Sequence, residues 1–307
     1  MDRRALLSAC ATGLTLTTGC LGFSVGSDCP RGTDLRLDPV TDADAADRSS
    51  DPLATLSPPE RDVVAAARNG EEATLWAISS PFSGVDYVAA DGAYFAVTTA
   101  VVSSVDRPGY ALSLDTEDVP TDRRVAFEDL PAVDRTALYA ALGFPSDREI
   151  ERFDRARSIS IGGTLVYPDD DAESRSELVP DPSYDVLRIG GRDFRLDLGE
   201  SRTKTVETHR IEVESVAEST AEFAAVVRER YGVDLDDRDL SAEQRDIVEA
   251  AVDGGYDECA PYSDAYADLQ ATLGNDSDGS GSGRTERVDY ARYDGEWYAV
   301  SMSEYVV

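Results

Sequence analysis

Val85-Asp86-Tyr87-Val88-Ala89-Ala90-Asp91-Gly92-Ala93-Tyr94-Phe95-Ala96-Val97 returns near the end of the chain as Val288-Asp289-Tyr290-Ala291-Arg292-Tyr293-Asp294-Gly295-Glu296-Trp297-Tyr298-Ala299-Val300. In both copies Asp-Gly separates two β-prone runs. A tight hairpin turn of type I′ needs positive φ at both central residues, so this pattern predicts a β-hairpin. A middle version, Asp185-Val186-Leu187-Arg188-Ile189-Gly190-Gly191 followed by Phe194 and Leu196, places Gly-Gly at the same turn.

A second motif precedes each hairpin. Leu56-Ser57-Pro58-Pro59-Glu60-Arg61-Asp62-Val63-Val64 and Leu240-Ser241-Ala242-Glu243-Gln244-Arg245-Asp246-Ile247-Val248 share a serine followed three residues on by Glu or Gln. That spacing is a capping box, so each segment is predicted to open a short helix. Leu130-Pro131-Ala132-Val133-Asp134-Arg135, with Leu138, Ala140 and Ala141, is a third version in which Pro131 replaces the serine. The irregular spacing argues against a solenoid. The predicted fold is α+β: three helix-plus-β-hairpin units packed together, with antiparallel sheets and short covering helices. Residues 97–105 and 205–213 are further strand candidates, each expected to add a third strand to its preceding hairpin. A further helix is predicted over 220–231, capped by Ser219 with Glu222 and stopped by Gly232.

The chain has 307 residues, 41% of them hydrophobic, enough for a sizeable core. Its 61 acidic and 29 basic residues give a formal charge of −32, and Lys204 is the only lysine. Nucleic acid is therefore not an expected partner. Such a surface suits concentrated salt, where the screening length falls to about 3 Å and carboxylates no longer repel one another at a distance. The acidic runs, including Asp169-Asp170-Asp171 and Asp234-Leu235-Asp236-Asp237, are read as solvated surface. Residues 38–51 are acidic and poor in large apolar side chains, and read as a tether. Residues 274–283 read as a flexible surface excursion.

Signals for catalysis are sparse. His209, the only histidine, lies in the alternating stretch Thr205-Val206-Glu207-Thr208-His209-Arg210-Ile211 and is expected on the polar face of a strand. Gly162-Gly163 and Gly190-Gly191 are isolated turns without a nucleotide-binding pattern. Residues 234–239 resemble a calcium loop, but Arg238 stands where an oxygen ligand is needed. Catalytic, cofactor-binding and metal-ligating residues are accordingly predicted as none, and the chain is not expected to be an enzyme. The hairpin aromatics Tyr87, Tyr94, Phe95, Tyr290, Tyr293, Trp297 and Tyr298 read as core and cross-strand pairs, with an outward-facing ligand platform as the alternative.

Arg3-Arg4 precedes a charge-free run from Ala5 to Thr18 that closes on Gly19-Cys20. The run is too short for a spanning helix, which needs about 20 residues. In these residues the chain resembles haloarchaeal twin-arginine-exported surface lipoproteins. The resemblance implies a location and no activity: Arg3 and Arg4 form the export signal, Cys20 carries the lipid, and the membrane lipid is a partner on the outer face of the cell. Cys10 then leaves with the signal, so Cys29 and Cys259 remain as a disulfide pair, which an oxidising exterior favours. The expected organisation is 1–19 signal peptide, 20–55 lipidated N-terminus and acidic tether, 56–124 unit 1, 125–215 unit 2, and 216–307 extra helix with unit 3. The expected function is a non-enzymatic interaction or structural module with a surface protein or small-molecule ligand as further partner. The alternatives are a solute-binding lipoprotein, which predicts a cleft between units, and a hydrolase, which predicts converging carboxylates.

Overall fold

A computed structural model describes residues 29–116, 120–142, 160–274 and 288–306. Arg3, Arg4 and Cys20 lie outside the described residues, as does nearly all of the excursion at 274–283. Strand β1 (Arg31–Pro39) and helix α1 (Asp42–Ser49) come first. Unit 1 follows as β2 (Asp51–Pro52), a 3-10 turn, α2 (Pro58–Arg68), β3 (Thr74–Ala77), β4 (Tyr87–Ala90) and β5 (Ala93–Asp115). Unit 2 repeats the string as β6 (Arg124–Ala126), a 3-10 turn, α3 (Ala132–Leu142), β7 (Ser160–Val166), α4 (Asp170–Ser174), β8 (Val186–Ile189) and β9 (Arg192–Ala217). Helix α5 (Thr220–Tyr231) leads to unit 3: β10 (Gly232–Asp234), α6 (Ala242–Val252), β11 (Tyr256–Cys259), α7 (Asp264–Thr272), β12 (Tyr290–Tyr293) and β13 (Glu296–Val306).

The turns behave as their residues require. Asp91 and Gly92, Gly190 and Gly191, and Asp294 and Gly295 all have positive φ, between 50° and 82°. One backbone hydrogen bond recurs below each turn: Val97 to Asp86, Leu196 to Asp185, and Val300 to Asp289, at 3.1, 2.9 and 2.9 Å. In every unit the first hairpin strand pairs in parallel with the short strand that opens the unit. The helices also repeat station by station, with Leu56, Leu130 and Leu240 buried at the entry and Val64, Leu138 and Val248 buried two turns on. Ser57 donates its amide and hydroxyl to the Glu60 carboxylate, and Ser241 and Gln244 form the same box in unit 3. The fold is thus α+β, with three helix-plus-hairpin units.

The assembly is made by exchange. β5 and β9 run antiparallel along one another for most of their length. Unit 1 places β3 on β9, and unit 2 places β7 on β5. Residues 97–105 and 205–213 are therefore not separate third strands: they continue β5 and β9, and neither run holds a proline or glycine to interrupt the strand. Among the described residues unit 3 has no such sister. β1 from the N-terminal side takes that place, pairing with both β13 and β11 in a sheet ordered β10-β12-β13-β1-β11.

Two local expectations are corrected. Residues 38–51 are not a tether. Thr41 and Asp44 form a capping box that starts α1, and the helix buries Ala45 and Ala46 against Phe223, Ala224 and Val227 of α5. Two alanines suffice because α1 approaches α5 closely, which a hydrophobicity count on 38–51 does not register. Gly162-Gly163 is not a turn but the middle of β7. A Cβ on Gly163 would lie 2.2 Å from the Ala141 carbonyl oxygen, so glycine is what lets α3 settle on this strand.

Candidate functional site

Exchange of strands brings unit 1 and unit 2 together over an open cleft of about 450 Å³. Its walls are the start of α2, strand β3, the loop at 79–85 and the face of α3 that carries Thr136, Tyr139 and Ala140. The volume falls among those of small-molecule sites, about 300 to 1,000 Å³. Trp76, at the third position of β3, is half-buried and leans on the core of unit 2. Across from it, Tyr139 meets Phe127 edge to face at 5.2 Å, which fixes the plane of the tyrosine ring.

Phe82 closes the loop side. It is buried, yet its φ is +56°, a region that a bulky side chain adopts only at a cost of about 1–3 kcal/mol. The Val85 amide bonds the Phe82 carbonyl at 2.9 Å, and Gly84 absorbs a second positive φ. The loop is thereby locked with the phenyl ring packed on Leu56, Val88 and Ile211.

Two carboxylates line the cleft. Glu60 is engaged by Ser57, at 3.0 Å from the amide and 2.7 Å from the hydroxyl. Asp51 is different. Among the described residues none hydrogen-bonds or ion-pairs with its side chain, and burial alone pushes its carboxyl above the usual range. On its other side Asp51 borders a polar hollow of about 150 Å³ edged by Asp47, Arg48, Asp86 and Asp289. No Arg, Lys or His among the described residues lines the cleft.

The residues singled out in the sequence are placed elsewhere. Cys29 and Cys259 form a disulfide beside the β1 and β11 pairing. His209 is not on a polar strand face: it is 2% exposed, because β3 lies along β9 and sets Leu75 opposite it. Its Nε2 stands 3.3 Å from Glu207 Oε2 without hydrogen-bond geometry. The calcium-like run serves the fold, since Asp234 pairs with Arg292 at 2.9 Å and Asp236 accepts the Asp294 and Gly295 amides at the last hairpin turn. Asp169 caps α4, and Asp170 binds Arg107. These members of the acidic runs are bonded groups as well as solvated ones.

The hairpin aromatics go largely to the core. Tyr94 stacks on Phe223 with centroids 4.1 Å apart, Tyr87 meets the same ring edge-on, and Tyr290 donates to the Ala45 carbonyl. Trp76, Phe82 and Tyr139 are the aromatics that face the cleft, and the sequence reading passed over them. They come from a strand, a loop and a helix of two units, so no local spacing marks them as a set. No protein-family model, curated protein or solved structure matches the chain.

Proposed function

We propose that the protein is a non-catalytic solute-binding lipoprotein, held on the outer face of the cell membrane through Cys20 after export on the Arg3-Arg4 signal. The observation that carries the binding part is the cleft between units 1 and 2, of ligand size, walled by three aromatic rings and fixed by a strained loop. Strain of this kind gathers at sites where a rigid shape is needed before the ligand arrives. Binding is favoured over hydrolysis because acid-base work of the glycosidase type needs two carboxylates free to act, and Glu60 is committed to its cap.

Two measurements test the two halves. The chain has two tryptophans, Trp76 and Trp297. A Trp297→Phe variant leaves Trp76 as the sole reporter, and a panel of small solutes in molar KCl is expected to include members that shift its emission saturably. No response across the panel would remove the cleft from consideration. For the location, the intact mass of membrane-extracted protein is expected to correspond to a chain beginning at Cys20 with a thioether lipid. A mass that retains Met1 would refute export and anchoring.

A further inference from the structure

Resting on the reading of the cleft as a solute site, we infer that its solute is an organic cation, an amine or quaternary ammonium, with Asp51 as its counter-ion and Trp76 and Tyr139 as the ring faces against which its alkyl groups pack. Three observations combine. Trp76, Tyr139 and Phe82 bring π-systems to one cleft, and the negative face of an aromatic ring attracts a cation held within about 6 Å of its centroid. The Asp51 carboxylate is half-buried with no partner among the described residues. No described cation lines the cleft to receive an anion.

The desolvation balance selects the sign. A neutral solute filling the cleft strips more water from Asp51 and returns nothing to the charge. A cation removes the same water and pairs the carboxylate, so the cost of burying Asp51 is offset on binding. An anion meets Asp51 and Glu60 and is rejected. Glu60 adds its charge to the same cleft but is anchored through Oε2 by the two Ser57 bonds, which leaves Asp51 as the lining carboxylate without a described partner. The Asp47, Arg48, Asp86 and Asp289 groups edge the hollow on the other side of Asp51 and line no part of the cleft.

Choline and 3,3-dimethylbutanol share one shape and differ in charge, which makes them the discriminating probes. In the Trp297→Phe protein in molar KCl, choline is expected to bind at least about tenfold more tightly than the alcohol. Asp51→Asn, checked for folding by its unliganded Trp76 emission, is expected to bring the two within about threefold by weakening choline alone. Trp76→Leu keeps the carboxylate and, followed by calorimetry, is expected to weaken choline by about tenfold. Equal affinities for the two probes, or choline binding unchanged in Asp51→Asn, would overturn the inference and leave the solute cleft standing. A Trp76 signal silent to choline also overturns it, and silence to the whole solute panel overturns the cleft reading as well.

Discussion

Asp134→Ala is expected to cost about 2 to 5 kcal/mol of stability, since it leaves two donors without their acceptor at about 1 to 3 kcal/mol each. Asp134 is 0% exposed. It accepts from the Tyr167 hydroxyl at 2.6 Å and from the Glu177 amide at 2.9 Å. Ser176 extends the network: its Oγ lies 2.8 Å from the Tyr167 hydroxyl and accepts the Leu178 and Val179 amides. Burial first, and then the bond to Asp134, push the Tyr167 hydroxyl far up, so it stays protonated and remains a donor. Alanine at 134 leaves that hydroxyl and the Glu177 amide facing a void.

Tyr167→Phe in the Asp134→Ala background is not expected to restore the loss, because the Ser176 hydroxyl then loses the acceptor it has 2.8 Å away and replaces the tyrosine as the unpaired donor. Denaturant unfolding in high salt measures both. A cost under about 1 kcal/mol for Asp134→Ala would show that water enters and satisfies the donors, against the network as drawn.

Asp134 also shows how far the sequence carries. In the aligned motifs it stands at the station of Glu60 and Gln244, three residues after the capping position. With serine at that position the acid or amide turns back to the helix start. Pro131 offers neither a hydroxyl nor an N–H, so the carboxylate of Asp134 turns inward and organises the loop between β7 and β8 instead. The departure from the motif was legible, and its consequence was not, since Tyr167 and Glu177 lie 33 and 43 residues away. Arg61 and Arg135 keep their shared role. Each donates to a carbonyl seven residues upstream, Ala54 and Glu128, holding the 3-10 turn to its helix.

Hairpins and caps were legible because their physics is local: a turn that demands positive φ admits few residues, and a cap needs its partner three positions on. The exchange of β3 and β7 between units was not, because a strand's choice of neighbour is made by the whole sheet. The same holds for the cleft. Trp76 has the alternating neighbours of any strand, and Tyr139 sits in a helix whose apolar face explains it without a ligand. Phe82 carries the one hint, Pro81-Phe82-Ser83-Gly84, a loop whose glycine announces a turn but not that the phenylalanine before it is strained. Asp51 is likewise one acid among 61 until burial and the lack of a described partner separate it.

Replacing both cysteines of the Cys29–Cys259 disulfide by serine is expected to lower stability by about 3 to 5 kcal/mol. The bridge spans a sequence separation of 230 with Cα atoms 5.7 Å apart. Loop-closure entropy grows with the logarithm of loop length, and for a loop this long the chain-entropy model gives about 5 kcal/mol as its upper figure. The position in the sheet explains what is being held. β1 is the fourth of five strands in the sheet of unit 3, paired in register with β13 on one side and β11 on the other, and it buries Leu35 and Leu37 in that unit's core. Among the described strands of unit 3's sheet it alone comes from the other end of the chain. In the oxidised unfolded chain Cys29 stays next to Cys259, so β1 never has to find β11 by diffusion through more than two hundred residues. Without the bridge the native pairing of β1 persists through its backbone bonds and its two leucines, and the loss falls mainly on the unfolded ensemble, which expands. The denaturant m-value of the double serine variant is therefore expected to rise while its folded-state emission stays unchanged, and reduced wild-type protein is expected to match it. A loss under about 1 kcal/mol with an unaltered m-value would mean that the unfolded chain keeps its ends together without the bond.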